Sequence, residues 1–122
     1  MKSIELLEKY PLSTEVIRQW FFNEMMRSNE VAEDVPEEFK KAMVEEAISN
    51  DRLAIFIDAQ PRGLFDVFDD NNIFIEVFMY PDGQFTCKIG NQATTNSWNK
   101  RREAESFAIE AAFEILEQRL NN

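Results

Sequence analysis

The spacing of apolar residues predicts two helices at the start of the chain. The first is capped by Ser3 and ends before Pro11, because proline interrupts a helix. Ser13 is predicted to cap a second helix that runs to about Arg27. The apolar residues of this second helix recur at intervals of three and four, as one buried helix face requires: Val16, Ile17, Trp20, Phe21 and Met25.

A polar, acidic stretch at residues 28–34 predicts a loop, and a third helix is predicted to begin near Pro36. This helix is expected to end near Asn50. Its apolar face would consist of Phe39, Met43, Ala47 and Ile48. Residues 1–50 are therefore predicted to be the helical half of the chain.

Strands are predicted to begin in the second half. Residues 53–57 form a continuous apolar run with β-branched and aromatic members, which favours a strand buried on both faces. The sequence Pro61-Arg62-Gly63 breaks this run. Residues 64–68 are expected to form a short strand or a packed loop, and residues 69–72 a turn.

A β-hairpin is predicted where residues 73–80 and 84–89 flank Pro81-Asp82-Gly83, a sequence suited to a three-residue turn. Placing Tyr80 opposite Gln84 creates one apolar face and one mixed face. The apolar face pairs Ile75 with Ile89, Val77 with Cys87, and Met79 with Phe85. The other face pairs Phe78 with Thr86 and Glu76 with Lys88, so one register satisfies both faces.

A last strand at residues 93–98 and a long helix from about Lys100 to Leu120, capped by Asn99 or Ser97, are predicted to follow. The apolar arc of this helix covers more than half of its circumference, so it should lie between the sheet and the N-terminal helices. Small residues would allow close approach at Ala104, Ala108, Ala111 and Ala112. The expected fold is a single α+β domain over residues 1–122, with a three- or four-stranded antiparallel sheet, and residues 51–122 provide the strands, the hairpin and the C-terminal helix.

Composition excludes several functions. The 122 residues include 13 Lys and Arg, 23 Asp and Glu, no His and one Cys, which gives a formal net charge of −10. A lone Cys87 forms no internal disulfide, which favours a reducing cytoplasm, and no apolar run is long enough to span a membrane. Without histidine, the commonest metal ligand and general base are missing. The acidic group around Asp69 lacks the spacing of a calcium loop, so no catalytic, cofactor-binding or metal-binding residue is predicted.

The start of the final helix carries a basic run, Lys100, Arg101 and Arg102, in an otherwise acidic chain. Followed by Ala104, Ala108, Ala112, Phe113 and Leu116, it resembles the C-terminal helix of double-stranded-RNA-binding domains. The resemblance implies that the basic residues contact phosphates while the alanines pack on a three-stranded sheet. Glu105 departs from this pattern, and the family's minor-groove histidine has no counterpart. Residues 101–117 are also similar to the endings of small uncharacterised bacterial and phage or mobile-element proteins, which implies a bacterial cytoplasmic context.

Aromatic residues alternate with aliphatic ones on the first hairpin strand, so both of its faces are apolar. Either the protein's own helices cover both faces, or one face presents an aromatic patch to a partner. The predicted partner surface combines Phe74, Phe78 and Tyr80 with the polar segment at residues 91–99 and Trp98.

The expected function is that of a small, acidic, non-enzymatic cytoplasmic protein that acts through a protein partner or through self-association. One alternative is nucleic-acid binding through Lys100, Arg101 and Arg102. A second is mimicry of DNA, in which the −10 charge occupies a basic groove of a nuclease or repressor. An enzyme that uses two carboxylates is a further alternative, for which the sequence nominates no pair.

Overall fold

The structure combines helices with one small antiparallel sheet. The computed structural model of the protein describes residues 2–29 and 48–122, together with Pro36, Glu38, Phe39 and Ala42. Within these residues, five α-helices with defined bounds and a three-stranded antiparallel sheet form a single small α+β domain, as predicted. The helices are α1 (Ser3–Lys9), α2 (Pro11–Asn29), α3 (Asn50–Ala59), α4 (Arg62–Asp70) and α5 (Arg101–Asn121). The strands are β1 (Ile75–Met79), β2 (Phe85–Ile89) and β3 (Gln92–Ala93).

The first two helices form as predicted, but neither is capped by the predicted serine. Ser3 is the first residue of α1, and its Oγ atom donates to Oδ1 of Asp58 at 2.6 Å. Pro11 begins α2, because its fixed φ suits the first turn and its missing N–H would have no partner there. Ser13 is therefore inside the helix and buried, and its hydroxyl donates to the carbonyl of Phe113 at 3.0 Å.

The prediction for residues 28–50 is wrong at both ends. Residues 28 and 29 belong to α2, while residues 30–34 lie outside the described residues. Asn50 begins α3 instead of ending a helix, because the Ser49 hydroxyl accepts the backbone N–H of Arg52 at 3.3 Å and caps α3. Of the predicted apolar face, Ile48 is buried and Phe39 is exposed, and Met43 and Ala47 lie outside the described residues.

Residues 53–57 and 64–68 are helical, so the predicted strand at 53–57 and the predicted short strand or packed loop at 64–68 are both wrong. In α3, Leu53, Ala54 and Ile57 are buried while Ile55 and Phe56 are exposed, which is the spacing of one helix face. In α4 the buried residues are Leu64, Val67 and Phe68. The break between these elements falls at Gln60 and Pro61, so of the predicted breaking residues 61–63 only Pro61 lies between the helices, and Arg62 and Gly63 begin α4. Residues 69 and 70 continue α4, so the predicted turn is confined to residues 71 and 72.

The hairpin has the predicted register. Its five pairs are Ile75 with Ile89, Glu76 with Lys88, Val77 with Cys87, Phe78 with Thr86, and Met79 with Phe85. Gly83 has a φ of 90°, a conformation that glycine adopts without a steric penalty, and its N–H donates to the carbonyl of Tyr80 at 2.9 Å. The turn and the side-chain pattern therefore specify the same alignment.

The third strand is shorter than predicted. Only Gln92 and Ala93 form regular pairs with β2, opposite Ile89 and Lys88. Trp98 then pairs with Phe85 through an isolated bridge. Between these two points the chain departs from the ladder, and the carbonyl of Asn96 accepts the hydroxyl of Thr86 at 2.8 Å.

Helix α5 packs against β1 and β2 on one side and against α2 on another, which confirms the predicted position. Ala104, Ala108 and Ala112 have no solvent exposure, and Ala111 is half-buried. The predicted caps are wrong, because Lys100 occupies the N-cap position without a side-chain hydrogen bond. Phe113 of α5 joins the core shared with the N-terminal helices, whose largest fully buried members also include Phe68, Leu7, Ile17, Ile48 and Leu53.

Candidate interaction surface

The two faces of the sheet differ in exposure. The face that bears Val77, Cys87 and Ile89 packs on α5, and Cys87 is buried there. The opposite face bears Phe74, Phe78 and Tyr80, which keep 55%, 40% and 40% of their surface exposed. We call this side of the sheet the open face. The described helices leave its rings in contact with solvent. They therefore do not cover both faces of the strand, which was one of the two alternatives that the sequence left open.

The open face is an aromatic patch with two opposite charges. The rings of Phe78 and Tyr80 meet edge to face, with centroids 5.8 Å apart and planes at 84°. On the same face, Glu76 and Lys88 occupy directly opposite positions on the two strands. The surface can therefore bury apolar area and also offers one acidic and one basic group.

Trp98 lies on the other face, away from the three residues with which it was grouped. Its pairing with Phe85 uses two backbone hydrogen bonds, of 2.7 and 2.8 Å, and directly paired residues project to the same side of a sheet. Its ring is 4.9 Å from that of Phe107 in α5. The structure brings together Phe74, Phe78 and Tyr80 but separates Trp98 from them. Aromatic character alone does not specify a face.

Strand β1 is an edge of the sheet, because the strand order is β1-β2-β3. The N–H of Tyr80 donates to Gln84 at 2.8 Å, and the N–H of Gly90 donates to Phe74 at 2.7 Å. Bonds of this kind recur at every second residue of an antiparallel pair. The backbone N–H and C=O groups of the even-numbered residues of β1 therefore point toward β2. The N–H and C=O groups that point away from β2 are those of Ile75, Val77 and Met79. We call these outward backbone groups the β1 edge. The sequence did not predict this edge, because a hairpin alone does not reveal which of its strands is at the edge of the sheet.

The basic run lies at the start of α5, with Lys100, Arg101 and Arg102 all exposed. Arg101 reaches the sheet: its guanidinium carbon is 5.1 Å from the centre of the Phe85 ring, and its Nη1 atom is 3.5 Å from the Val77 carbonyl oxygen. None of the ion pairs found among the described residues involves these three cations. A cation without a carboxylate partner therefore sits beside the β1 edge, on the side that α5 covers.

The described residues offer little for catalysis. Burial raises the pKa of the Cys87 thiol, so this group stays protonated and is a poor nucleophile at neutral pH. Asp70, in the acidic group considered for calcium, accepts the indole N–H of Trp20 at 2.8 Å. No cluster of three or more potential metal ligands occurs in the described ranges.

Two clefts open among the helices. One, of about 430 Å³, is lined mainly by apolar residues of α1, α3 and α5, with the hydrogen-bonded Ser3 and Asp58 at its edge. The other, of about 540 Å³, is bordered by Trp20, Phe21 and Phe56. The described lining of the first cleft includes one hydroxyl–carboxylate pair, Ser3 and Asp58, whereas that of the second includes no serine, threonine, cysteine or lysine.

No protein-family model matches the chain, and comparisons with curated proteins and with solved structures gave no match either. Among the described helices, none has the length and apolar character needed to cross a bilayer. The chemistry of the surface is therefore the basis for assigning a function.

Proposed function

We propose that this chain is a non-enzymatic protein-interaction domain that binds a partner through the open face of its sheet. The observation that carries the proposal is the exposure of Phe74, Phe78 and Tyr80 on one side of β1 and its flanking residues, with the rings of Phe78 and Tyr80 in contact. Single exposed apolar residues are common on protein surfaces, whereas contiguous aromatic ones mark interaction sites.

The composition of the open face supports the same conclusion. Aromatic residues are enriched at the centres of interfaces, and charged groups are found at their rims. Here Phe78 and Tyr80 provide the centre, and Glu76 and Lys88 provide charges that a partner can pair. The alanine face of α5 packs directly beneath the sheet, so the rings project from a sheet that is supported on its other side.

The three exposed rings supply only part of the area that a stable interface needs. With roughly 200 Å² for a whole aromatic side chain, the three exposed rings present about 270 Å². A stable interface typically buries about 800 Å² on each partner. The aromatic patch is thus the centre of a larger contact, and two copies of a chain with a charge of −10 would also repel each other.

The cellular setting is part of the proposal. A single reduced, buried Cys87 suits the cytoplasm. The likeness of residues 101–117 to small bacterial and phage proteins supports a bacterial or phage origin.

A Phe78→Ser variant tests the proposal, with Ile55→Ser as a matched control because Ile55 is 64% exposed on α3, away from the sheet. Each protein is immobilised and used to capture partners from the native host, and its fold is checked by circular dichroism and thermal melting. We expect Phe78→Ser to lose a partner that the parent and Ile55→Ser retain, with similar melting temperatures. Unfolding of Phe78→Ser would place this ring in the core, and unchanged capture would remove the open face as the binding surface.

Nucleic-acid binding is a second candidate, favoured by one observation. The alanine face of α5 packs on a three-stranded antiparallel sheet while Lys100, Arg101 and Arg102 stay exposed at its start. This is the arrangement that the resemblance to double-stranded-RNA-binding domains implies. A gel shift with duplex RNA at low salt tests it, because phosphate contacts weaken steeply as salt rises. Binding that disappears when the three residues are changed to alanine would support this candidate, and equal absence of binding by both proteins would end it.

A further inference from the structure

The β1 edge offers backbone groups that a further strand can pair with. The N–H and C=O groups of Ile75, Val77 and Met79 point away from β2. Among the described residues, the contact found on this edge is the 3.5 Å approach of Arg101 to the Val77 carbonyl. That distance is long for a hydrogen bond, so the N–H of an incoming strand would displace Arg101 at little cost.

Within its own five residues, strand β1 also carries none of the lysine, proline or bulge features that commonly prevent edge pairing. Natural edge strands carry lysine, proline or a bulge, or are very short. All five residues of β1 pair in one regular register with β2, and Pro81 lies beyond its end. Glu76 is the one charged residue of β1, and it projects to the open face instead of along the edge.

Strand addition compensates for the small apolar area of the open face. An extended segment paired with the outward groups of three residues gains main-chain hydrogen bonds that a face-to-face contact does not provide. Its alternate side chains would extend the open face beside Phe78, where apolar groups are favourable.

The remaining side chains of the added strand would project toward α5, where Arg101 lies. Arg101 has no carboxylate partner among the ion pairs of the described residues, and stacking on Phe85 holds its guanidinium near the edge. Guanidinium groups form strong charge-assisted hydrogen bonds with carboxylates.

We propose that the β1 edge binds an extended peptide segment of a partner protein as a fourth strand, with apolar side chains on the open face and acidic side chains toward Arg101. This inference rests on the proposed function, since it specifies the kind of partner that the same sheet binds. Because the whole chain is negatively charged, nonspecific attraction would favour a basic peptide. Preference for an acidic peptide therefore distinguishes specific binding at Arg101 from nonspecific binding.

The probe is a fluorescein-labelled peptide of nine residues that alternates valine and glutamate, compared with one that alternates valine and lysine. Fluorescence anisotropy at physiological salt measures both affinities. We expect the glutamate peptide to bind at least tenfold more tightly, although nonspecific attraction to a chain of charge −10 would favour the lysine peptide. An Arg101→Glu variant should reverse this preference, and because Arg101 is exposed its replacement is compatible with folding.

A Val77→Pro variant tests the backbone contact. Since the Val77 N–H points outward, proline there removes a group of the β1 edge without removing a bond to β2. We expect at least a tenfold loss of affinity for the glutamate peptide. Phe78→Pro is the contrasting variant, because the Phe78 N–H faces β2 and its loss should lower the melting temperature as well.

Several results would overturn the inference. They are tighter binding of the lysine peptide to the parent protein, and wild-type affinity in a folded Val77→Pro variant. A dimer that Val77→Pro abolishes, without peptide binding, would assign the edge to a second copy and also contradict the peptide. If Phe78→Ser loses the partner while folded Val77→Pro retains it, the proposed function stands and the edge inference fails.

Discussion

The side chain of Glu117 in α5 accepts the backbone N–H of Leu12 at 2.7 Å, and so caps a helix that begins more than a hundred residues earlier in the chain. The same carboxylate accepts the N–H of Ser13 at 3.0 Å. The first N–H groups of a helix have no partner within it, and the helix dipole favours a negative charge at this end. Glu117 therefore acts as the cap of α2 and ties it to α5.

Replacement of Glu117 by alanine should lower the free energy of unfolding by about 1–2 kcal/mol, the usual cost of losing an N-cap. The loss arises because the N–H groups of Leu12 and Ser13 are left without their acceptor. Urea denaturation followed by circular dichroism measures this change.

Glu114→Ala is the matched control for that experiment. Glu114 lies on the same helix and is exposed, so its removal should change the free energy of unfolding by no more than about 0.5 kcal/mol. Equal effects of the two substitutions would mean that the charge of α5, and not the cap, is what stabilises the fold.

The parts of the fold that the sequence predicts well are those in which two local signals agree. The glycine at position 83 fixes the turn, and the apolar pattern on both strands independently selects the same alignment. The alanine-rich face of α5 is another such case, because its width requires partners on two sides.

Residues 53–57 show why the rest was missed. Ile55 and Phe56 are exposed, yet together with their buried neighbours they read as an uninterrupted apolar run. Periodicity cannot separate a strand from a helix in so short a run. The capping bond of Ser49 is the local feature that favours the helix.

The sequence predicts which side chains form the candidate site, but it does not predict the backbone edge beside them. Phe74, Phe78 and Tyr80 stand at even-numbered positions in and beside β1, and that spacing places them on one face. The β1 edge and the approach of Arg101 depend on strand order and on where α5 begins, which are tertiary properties.

Two isoleucines of α3 distinguish the observed helix from a strand buried on both faces. Ile57 is 5% exposed and belongs to the core, whereas Ile55 is 64% exposed. Ile57→Ala should therefore cost about 2–4 kcal/mol in unfolding free energy, and Ile55→Ala less than about 0.5 kcal/mol. Urea titrations of both variants provide the measurement, and similar large losses would indicate that residues 53–57 are buried on both sides.

Arg18 is predicted to contribute more to stability than any surface charge pair. It is buried, its Nε atom donates to the carbonyl of Ile48 at 2.7 Å, and its guanidinium also contacts Glu15 and Asn50. Arg18→Met would fill similar volume but leave the Ile48 carbonyl without this donor, so we expect a loss of about 2–3 kcal/mol in chemical denaturation.

Arg27→Met is the comparison for Arg18, since Arg27 forms an exposed pair with Glu24 on the same helix. Exposed pairs contribute little, so this variant should stay within about 1 kcal/mol of the parent. A larger loss for Arg27→Met than for Arg18→Met would contradict the role assigned to the buried guanidinium.

The thiol of Cys87 should make the protein less stable in alkaline solution. Burial raises the pKa of Cys87 in the folded state, whereas the thiol of the unfolded chain ionises near pH 8.5. Above about pH 8.5 the unfolded chain therefore loses a proton that the folded one keeps, and the free energy of unfolding falls as pH rises toward the folded pKa. Cys87→Ala removes this dependence, so urea titrations at pH 7, 8, 9 and 10 should show a steeper decline for the parent than for the variant. Lys9, whose pKa is raised by its hydrogen bond to Tyr10, titrates in both proteins and cancels in the difference. Parallel pH profiles would mean that the thiol ionises as readily in the fold as in the unfolded chain.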